Sequence, residues 1–350
     1  MNPPASSQQE DDAGRNGRYG HRMASHGPKR PLDVSRVVVV WPRGFCAGVE
    51  RAVETVKRSI EAHGPPVYVR KHIVHNLHVV RELEARGAVF VDSEEDVPAG
   101  ALLVLAAHGV PPGVHTNARQ RGLVTIDATC PLVSKVHAEV RHYAASGYRV
   151  VLVGHAGHDE VVGTTGQAPD AVILVESTDQ ARAVSLDGAA NVAYVTQTTL
   201  SVDDTAEIIA VLRERFPGIV GPRKADICYA TTNRQNAVKQ VLDEVDVLLV
   251  IGSRESSNSN RLVETARRRG GRAYLIEDER EIDERMLAGV AAVGITAGAS
   301  TPESVVRDVC DWFTARGVDD IDVRGIGDEG VSFGLPRPRR PETAEMALPG

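Results

Sequence analysis

Apolar residues recur along this chain in two alternating rhythms: short continuous runs, and stripes at helical spacing. The runs "VYVRK", "YRVVLVG" and "DVLLVIG" have the length and β-branched content of buried parallel strands. Each follows a stripe of residues three or four apart: Val49, Val53, Val56 and Ile60; Val133, Val136 and Val140; Val238, Val241 and Val245. That spacing predicts helices with one face on a core. A strand, an acidic cap and a helix start come next in "AVFVDSEEDV", "VILVESTDQA" and "AYLIEDEREI". A third strand closes each round, in "ALLVLAAHGV", "NVAYVTQTTLS" and "VAAVGITAGAST". The pattern predicts an α/β fold of three pseudo-repeated units, each with a small parallel sheet, over residues 34–123, 124–222 and 223–315.

Each predicted helical stripe begins just after a cysteine: Cys46, Cys130 or Cys228. At nearly matching offsets the strands end in the polar residues His75, His158 and Ser256, and later, at offsets that drift by up to ten residues, in His108, Thr198 and Ser300. Ligands of open parallel sheets bind beyond the carboxyl ends of the strands. Three units packed about a pseudo-threefold axis with those ends inward would bring three thiols to one centre. A single cysteine is most often a small buried hydrophobe. Three in one register ask for a shared partner, and a helix N-terminus favours the thiolate that binds metal.

The cysteines are too far apart for the local patterns of zinc ribbons or ferredoxins. Structural zinc takes four closed ligands, and a catalytic zinc on three cysteines is uncommon. Three thiolates suit a [4Fe-4S] cluster whose fourth iron has no protein ligand. The fourth cysteine, Cys310, flanks the stripe Val305, Val306, Val309 and Phe313, so packing is its expected role.

Composition narrows the function classes. A net charge of -7 with 4% aromatic residues lacks the basic, aromatic-laced face of a nucleic-acid platform. No apolar run reaches the length of a membrane span. Four cysteines in 350 residues make no disulfide scaffold, which points to a reducing cytoplasm. Residues 1–33 are polar and rich in Gly, Pro and Ser, without the apolar core of a signal peptide, and are expected to be a disordered extension. Residues 316–350 are expected to be a solvated tail. No Walker-type loop is present; helix N-termini are another source of donors to an anion. The candidates are "SSNSN" ahead of "RLVETARRRG", and "STPE" as a capping sequence.

The segments "WPRGFCAGV", "IVHN", "AHGV", "DATCPLVSKVH", "GHAGHDE", "TQTTLSVDDT", "DICYATTNRQ", "SSNSNRL" and "TAGASTP" follow one another in order over about residues 36 to 310. Together they resemble the LytB-type 4-hydroxy-3-methylbut-2-enyl diphosphate reductases, which end the non-mevalonate isoprenoid pathway. The resemblance implies a trefoil-like arrangement around a central [4Fe-4S] cluster held by Cys46, Cys130 and Cys228. It implies an allylic diphosphate substrate bound by His75, His108, Ser256, Ser257, Asn258 and Ser300, and reduced ferredoxin or flavodoxin as electron donor. Glu160, with His158 and Thr198, would deliver a proton at the allylic hydroxyl, and Asp159 would point elsewhere. The products would be isopentenyl and dimethylallyl diphosphate. Trp41 departs from the family pattern, where a smaller residue is usual. Two rival classes are an iron–sulfur dehydratase that needs no external electrons and a non-enzymatic iron–sulfur sensor.

Overall fold

The computed structural model describes residues 32–186, 191–325 and 329–340. Nearly all of the expected N-terminal extension, and the chain past residue 340, lie outside the described residues.

The chain opens with β1 (Arg36–Val40) and α1 (Ala47–His63). It continues through β2 (Val67–Arg70), α2 (Leu77–Ala85), β3 (Ala88–Val91), β4 (Leu102–Leu105), α3 (Pro112–Gln120) and β5 (Val124–Asp127). The second stretch holds α4 (Pro131–Ala145), β6 (Arg149–Val153), α5 (Asp159–Thr165), β7 (Val172–Val175), α6 (Thr178–Ala183), β8 (Val192–Thr196) and α7 (Val202–Arg215). The third holds α8 (Tyr229–Val241), β9 (Val247–Ile251), α9 (Ser257–Arg268), β10 (Arg272–Ile276), β11 (Ala292–Ala297), α10 (Glu303–Thr314) and β12 (Asp320–Arg324).

These strands form three parallel sheets, in the orders β3-β2-β4-β5, β7-β6-β8 and β10-β9-β11-β1-β12. The expected α/β architecture of small parallel sheets is what the chain adopts. In β9 all five residues are buried, because helices cover both faces of a central parallel strand.

The sheets do not respect the boundaries expected from the repeat. β1 pairs with β11 and β12, so the first strand belongs to the third sheet. β5, placed in the second unit by sequence, pairs with β4 in the first. β12 was expected within the tail. Local periodicity encodes a buried strand such as Val37–Val40, but not the sheet that accepts it; long-range pairing decides that.

The described part of the tail is also held against the body. Glu329 accepts hydrogen bonds from Asn233 (2.9 Å) and Arg234 (3.0 Å). Arg51 donates to the Gly334 carbonyl at 2.8 Å. Thr125 and Arg339 exchange backbone hydrogen bonds of 3.0 and 2.7 Å, so this strap covers the open edge of β5. Its Pro and Arg content carries no period, yet its backbone groups find partners. Among the described residues, no helix is long and apolar enough to cross a membrane.

Candidate active site

Cys46, Cys130 and Cys228 are the N-cap residues of α1, α4 and α8, and all three line one cavity of about 100 Å³. Cys46 and Cys130 follow strands through short loops. Cys228 instead follows a long loop after α7, in which Val220 makes a single parallel bridge to Ala193 of β8. The expected strand-to-helix turn is there reduced to one bridging residue.

Gly48 shows how closely the sulfurs converge. A Cβ at this position would stand 2.7 Å from Cys130 Sγ and 3.8 Å from Cys46 Sγ. Gly48→Ala therefore has a definite expected outcome. It should strip most of the iron from the purified protein while every thiol remains, as iron analysis and thiol titration would show. A variant with full iron would mean that the metal lies elsewhere.

Side chains tie the three cysteine-bearing helices together. Arg51 of α1 donates to the carbonyls of Ala128 (3.0 Å) and Thr129 (3.1 Å), just ahead of Cys130. Tyr229 Oη, beside Cys228, accepts from the Ala47 amide at 3.2 Å. The buried Arg234 of α8 reaches the Gly44 carbonyl at 2.9 Å, in the turn where Gly44 adopts a φ of 65°. Lys135 of α4 donates to the buried Asp226 at 2.6 Å, in the loop that leads to Cys228. These ties set the sulfur positions before any ligand is present.

The electrostatics depart from one expectation. Amides at the start of α4 and of α8 do act on the sulfurs, but burial outweighs them. It pushes the Cys130 thiol up to about 12, and that of Cys228 up to about 11, with Cys46 adding to both. Three crowded thiols in an apolar cavity become thiolates only beside a compensating cation. An iron–sulfur cluster meets that requirement, and all four cysteines are free. Cys310, on α10, packs half-buried against the core and does not line the cavity.

The other end of the cavity is polar. His75, His108, His158, Ser256, Ser257, Asn258 and Ser300 all face it. His75 and His108 stack at 4.0 Å, and His158 meets them edge-on at 5.2 and 5.9 Å. His75 Nδ1 and Nε2 and His108 Nδ1 are buried without a hydrogen-bond partner in the chain. Burial first, then mutual repulsion, holds His108 well below the usual imidazole value and His158 down at about 3. Burial also lowers His75. Neutral rings with unmet donors suit an anionic ligand, whose charge would reverse the repulsion.

The capping sequences resolve differently from each other. Ser256 caps α9 and accepts from Ser259, so Ser257 and Asn258 lie inside the first helical turn rather than ahead of the helix. Asn258 Oδ1 accepts from the Ala299 amide at 2.8 Å. Ser300 is no cap. The cap of α10 is Pro302, and the Ser300 hydroxyl donates to the His75 carbonyl at 3.1 Å.

Glu160 is 2% exposed in the first turn of α5, where sequence alone allowed a solvated loop carboxylate. It accepts from the Thr198 amide at 2.6 Å and the Thr198 hydroxyl at 3.0 Å. Burial nevertheless pushes its carboxyl up to about 7, against those two hydrogen bonds. His158 Nδ1 accepts from the Glu160 amide at 3.1 Å, which leaves Nε2 to carry the ring proton. Asp159 does not line this cavity; its carboxylate lies 3.8 Å from His75 Nε2, in a neighbouring cleft.

Several site residues escaped the sequence reading. Thr231 is fully buried, with Oγ1 3.2 Å from Cys228 Sγ and its amide donating to that sulfur at 3.4 Å. Its position three residues past a cap was the available signal. Gln197 links the His155 amide to Thr199 and Ser257. Phe333 of the strap also lines the cavity.

Comparison with known proteins places this arrangement. The family described as "LytB protein" matches residues 37–314. The chain belongs to the LytB family. A relative from Acidothermus cellulolyticus is 54% identical over 91% of this chain and 94% of its own length. One from Phenylobacterium zucineum is 53% identical over 89% and 98%. Both are named 4-hydroxy-3-methylbut-2-enyl diphosphate reductase. A solved Plasmodium falciparum structure, titled as the E-1-hydroxy-2-methyl-but-2-enyl-4-diphosphate reductase, is 37% identical with a TM-score of 0.84, covering 87% of this chain and 96% of its own. A second, described as the terminal enzyme of the non-mevalonate pathway, gives 0.58 at 33% identity, covering 80% and 99%. LytB proteins depend on an iron–sulfur group.

Proposed function

We propose that this chain reduces (E)-4-hydroxy-3-methylbut-2-enyl diphosphate to isopentenyl and dimethylallyl diphosphate, the last step of the non-mevalonate pathway. One observation carries the reading beyond family membership: three thiols and two histidines with unpartnered buried ring nitrogens, His75 and His108, meet in the same cavity. The thiols suit a [4Fe-4S] cluster on Cys46, Cys130 and Cys228; when bound, it supplies electrons and a Lewis acid for the departing oxygen.

The chain's own groups do the rest. His75 and His108 supply ring donors, and Ser256, Ser257, Asn258 and Ser300 supply amide and side-chain donors, for the diphosphate. The apolar wall of Val49, Val74, Val133 and Phe333 excludes water from the allyl carbons. Glu160 holds a proton near neutrality and Thr198 orients it; His158 offers Nε2–H toward the same hydroxyl. A reduced ferredoxin or flavodoxin in the cytoplasm fits both the electron demand and the free cysteines.

The deciding experiment is anaerobic purification with iron and sulfide analysis, then assay with the hydroxylated diphosphate and a reductant. Turnover should require the reductant; release of water from the substrate without it would favour the dehydratase class. Ser256→Ala, Asn258→Ala and Ser300→Ala each remove a donor to a charged oxygen, typically about 1.5–3 kcal/mol. KM should rise about tenfold or more while the visible spectrum stays unchanged. Kinetics indifferent to all three changes would place the diphosphate elsewhere.

A further inference from the structure

We propose that the C-terminal strap is the docking surface for an acidic ferredoxin that feeds electrons to this site. The inference rests on the reductive reading above. That reaction breaks the carbon–oxygen bond, takes up two electrons and two protons, and releases water. A single-cluster ferredoxin carries one electron, so two such carriers must dock in turn on a face close to the cysteines.

The strap offers such a face. Phe333 lines the cavity that holds Cys46, Cys130 and Cys228, so the strap forms part of the wall around the thiols. On either side of it, Val331 and Leu335 are exposed at 39% and 38%. Arg337, Arg339 and Arg340 follow, all exposed, and Arg119 of α3 is exposed as well. None of these four has an ion-pair partner among the described residues, and residues 331–340 contain no acidic side chain. Arg339 and Arg119 both bear on His115, so the strap and α3 share one basic patch. The Asp127 carboxylate in that area is already engaged by Thr129 and His115.

An apolar centre beside a charged margin is the usual anatomy of a transient protein interface. The contrast with the rest of the chain matters too. At a net charge of -7 the molecule as a whole repels an acidic partner, so a local basic patch steers it to one place. The surface is also preformed. Arg51 holds Gly334, and the Thr125–Arg339 backbone pair holds the far end, so no ordering of the strap is needed on docking.

The test uses the holoenzyme with R337E, R339E and R340E combined. The backbone bonds of Arg339 do not depend on its side chain. Calorimetric titration with a purified acidic ferredoxin at low salt should show binding weakened on the order of tenfold or more, with its salt dependence flattened. KM for reduced ferredoxin should rise in parallel. Iron content and turnover driven by reduced methyl viologen should match the unaltered chain, because that small donor needs no docking surface. Unchanged ferredoxin binding and KM in the charge-reversed chain would overturn the proposal. Absence of viologen-driven turnover in the unaltered holoenzyme would instead overturn the reductive reading on which it rests. Should the reversed chain lose iron, the R337Q, R339Q and R340Q set carries the same test with a smaller expected shift.

Discussion

Cys46→Ser, Cys130→Ser and Cys228→Ser should each leave a folded protein that has lost most of its iron and its broad visible absorption. A serine hydroxyl stays protonated where a thiol can be driven to thiolate, so the substitution removes a ligand while keeping the side chain's size. The fold should tolerate the loss, because the loops are held by other groups. Arg51 grips the carbonyls ahead of Cys130, Tyr229 and Arg234 grip the Cys46 turn, and Lys135 grips Asp226 ahead of Cys228. Unfolding midpoints of the iron-free variants should therefore match that of the iron-free parent chain. Cys310→Ser is the control. Its side chain packs half-buried against the core outside the cavity, so that variant should keep both iron and colour. Equal iron loss from Cys310→Ser, or full iron in any of the other three, would sink the three-cysteine arrangement. Air should inactivate the parent chain as well, since three thiolates leave one iron of a four-iron cluster open to oxidative loss.

Signals carried by a few neighbouring residues were legible in the sequence. The step from a β-branched run to a helical stripe located Cys46 and Cys130 at helix starts, and the polar residues ending each strand included His75, His158 and Ser256. Those features depend on local period, and the structure brings them to one cavity. What needed distant contacts was not legible. The run Val37–Val40 names a buried strand, but its seat between β11 and β12 follows from pairing across most of the chain. The strap reads as a polar tail because, past Glu329, its fixed points are the backbone groups of Gly334 and Arg339, which no side-chain pattern reports. Glu160 illustrates the same limit at the site. "GHAGHDE" looks like a solvated, glycine-rich loop, and only the packing of α5 against the Thr198 segment buries the carboxyl. Asp159 turns away from that cavity, as expected: the chain turns at Gly157, with φ at 80°, and its carboxylate approaches His75 from the neighbouring cleft.

Glu160→Gln should lower kcat by roughly 10²–10⁴, the usual worth of a positioned general acid. Glutamine keeps the size; its Oε1 can accept from the Thr198 amide and its Nε2 can donate to the Thr198 hydroxyl, so the segment should hold its place. What it lacks is a proton to give to a leaving hydroxyl. Iron content should be normal and added substrate should still perturb the visible spectrum, since the diphosphate donors and the cysteines are untouched. The pH profile separates this role from a structural one. Burial raises the Glu160 carboxyl to about 7, so the acid form dominates below neutrality and is lost as pH rises through that value. In the parent chain kcat should therefore fall on the alkaline side of about 7, and in Glu160→Gln the residual rate should no longer show that limb. The neighbouring Asp159 makes an unsuitable control because its carboxylate stands 3.8 Å from His75 Nε2. Asp179, exposed on α6 and paired with Arg182, serves instead, and Asp179→Asn should leave kcat unchanged. Near-normal kcat in Glu160→Gln, or an alkaline limb that survives the substitution, would take this carboxyl out of the proton path and make His158 Nε2 the next donor to test.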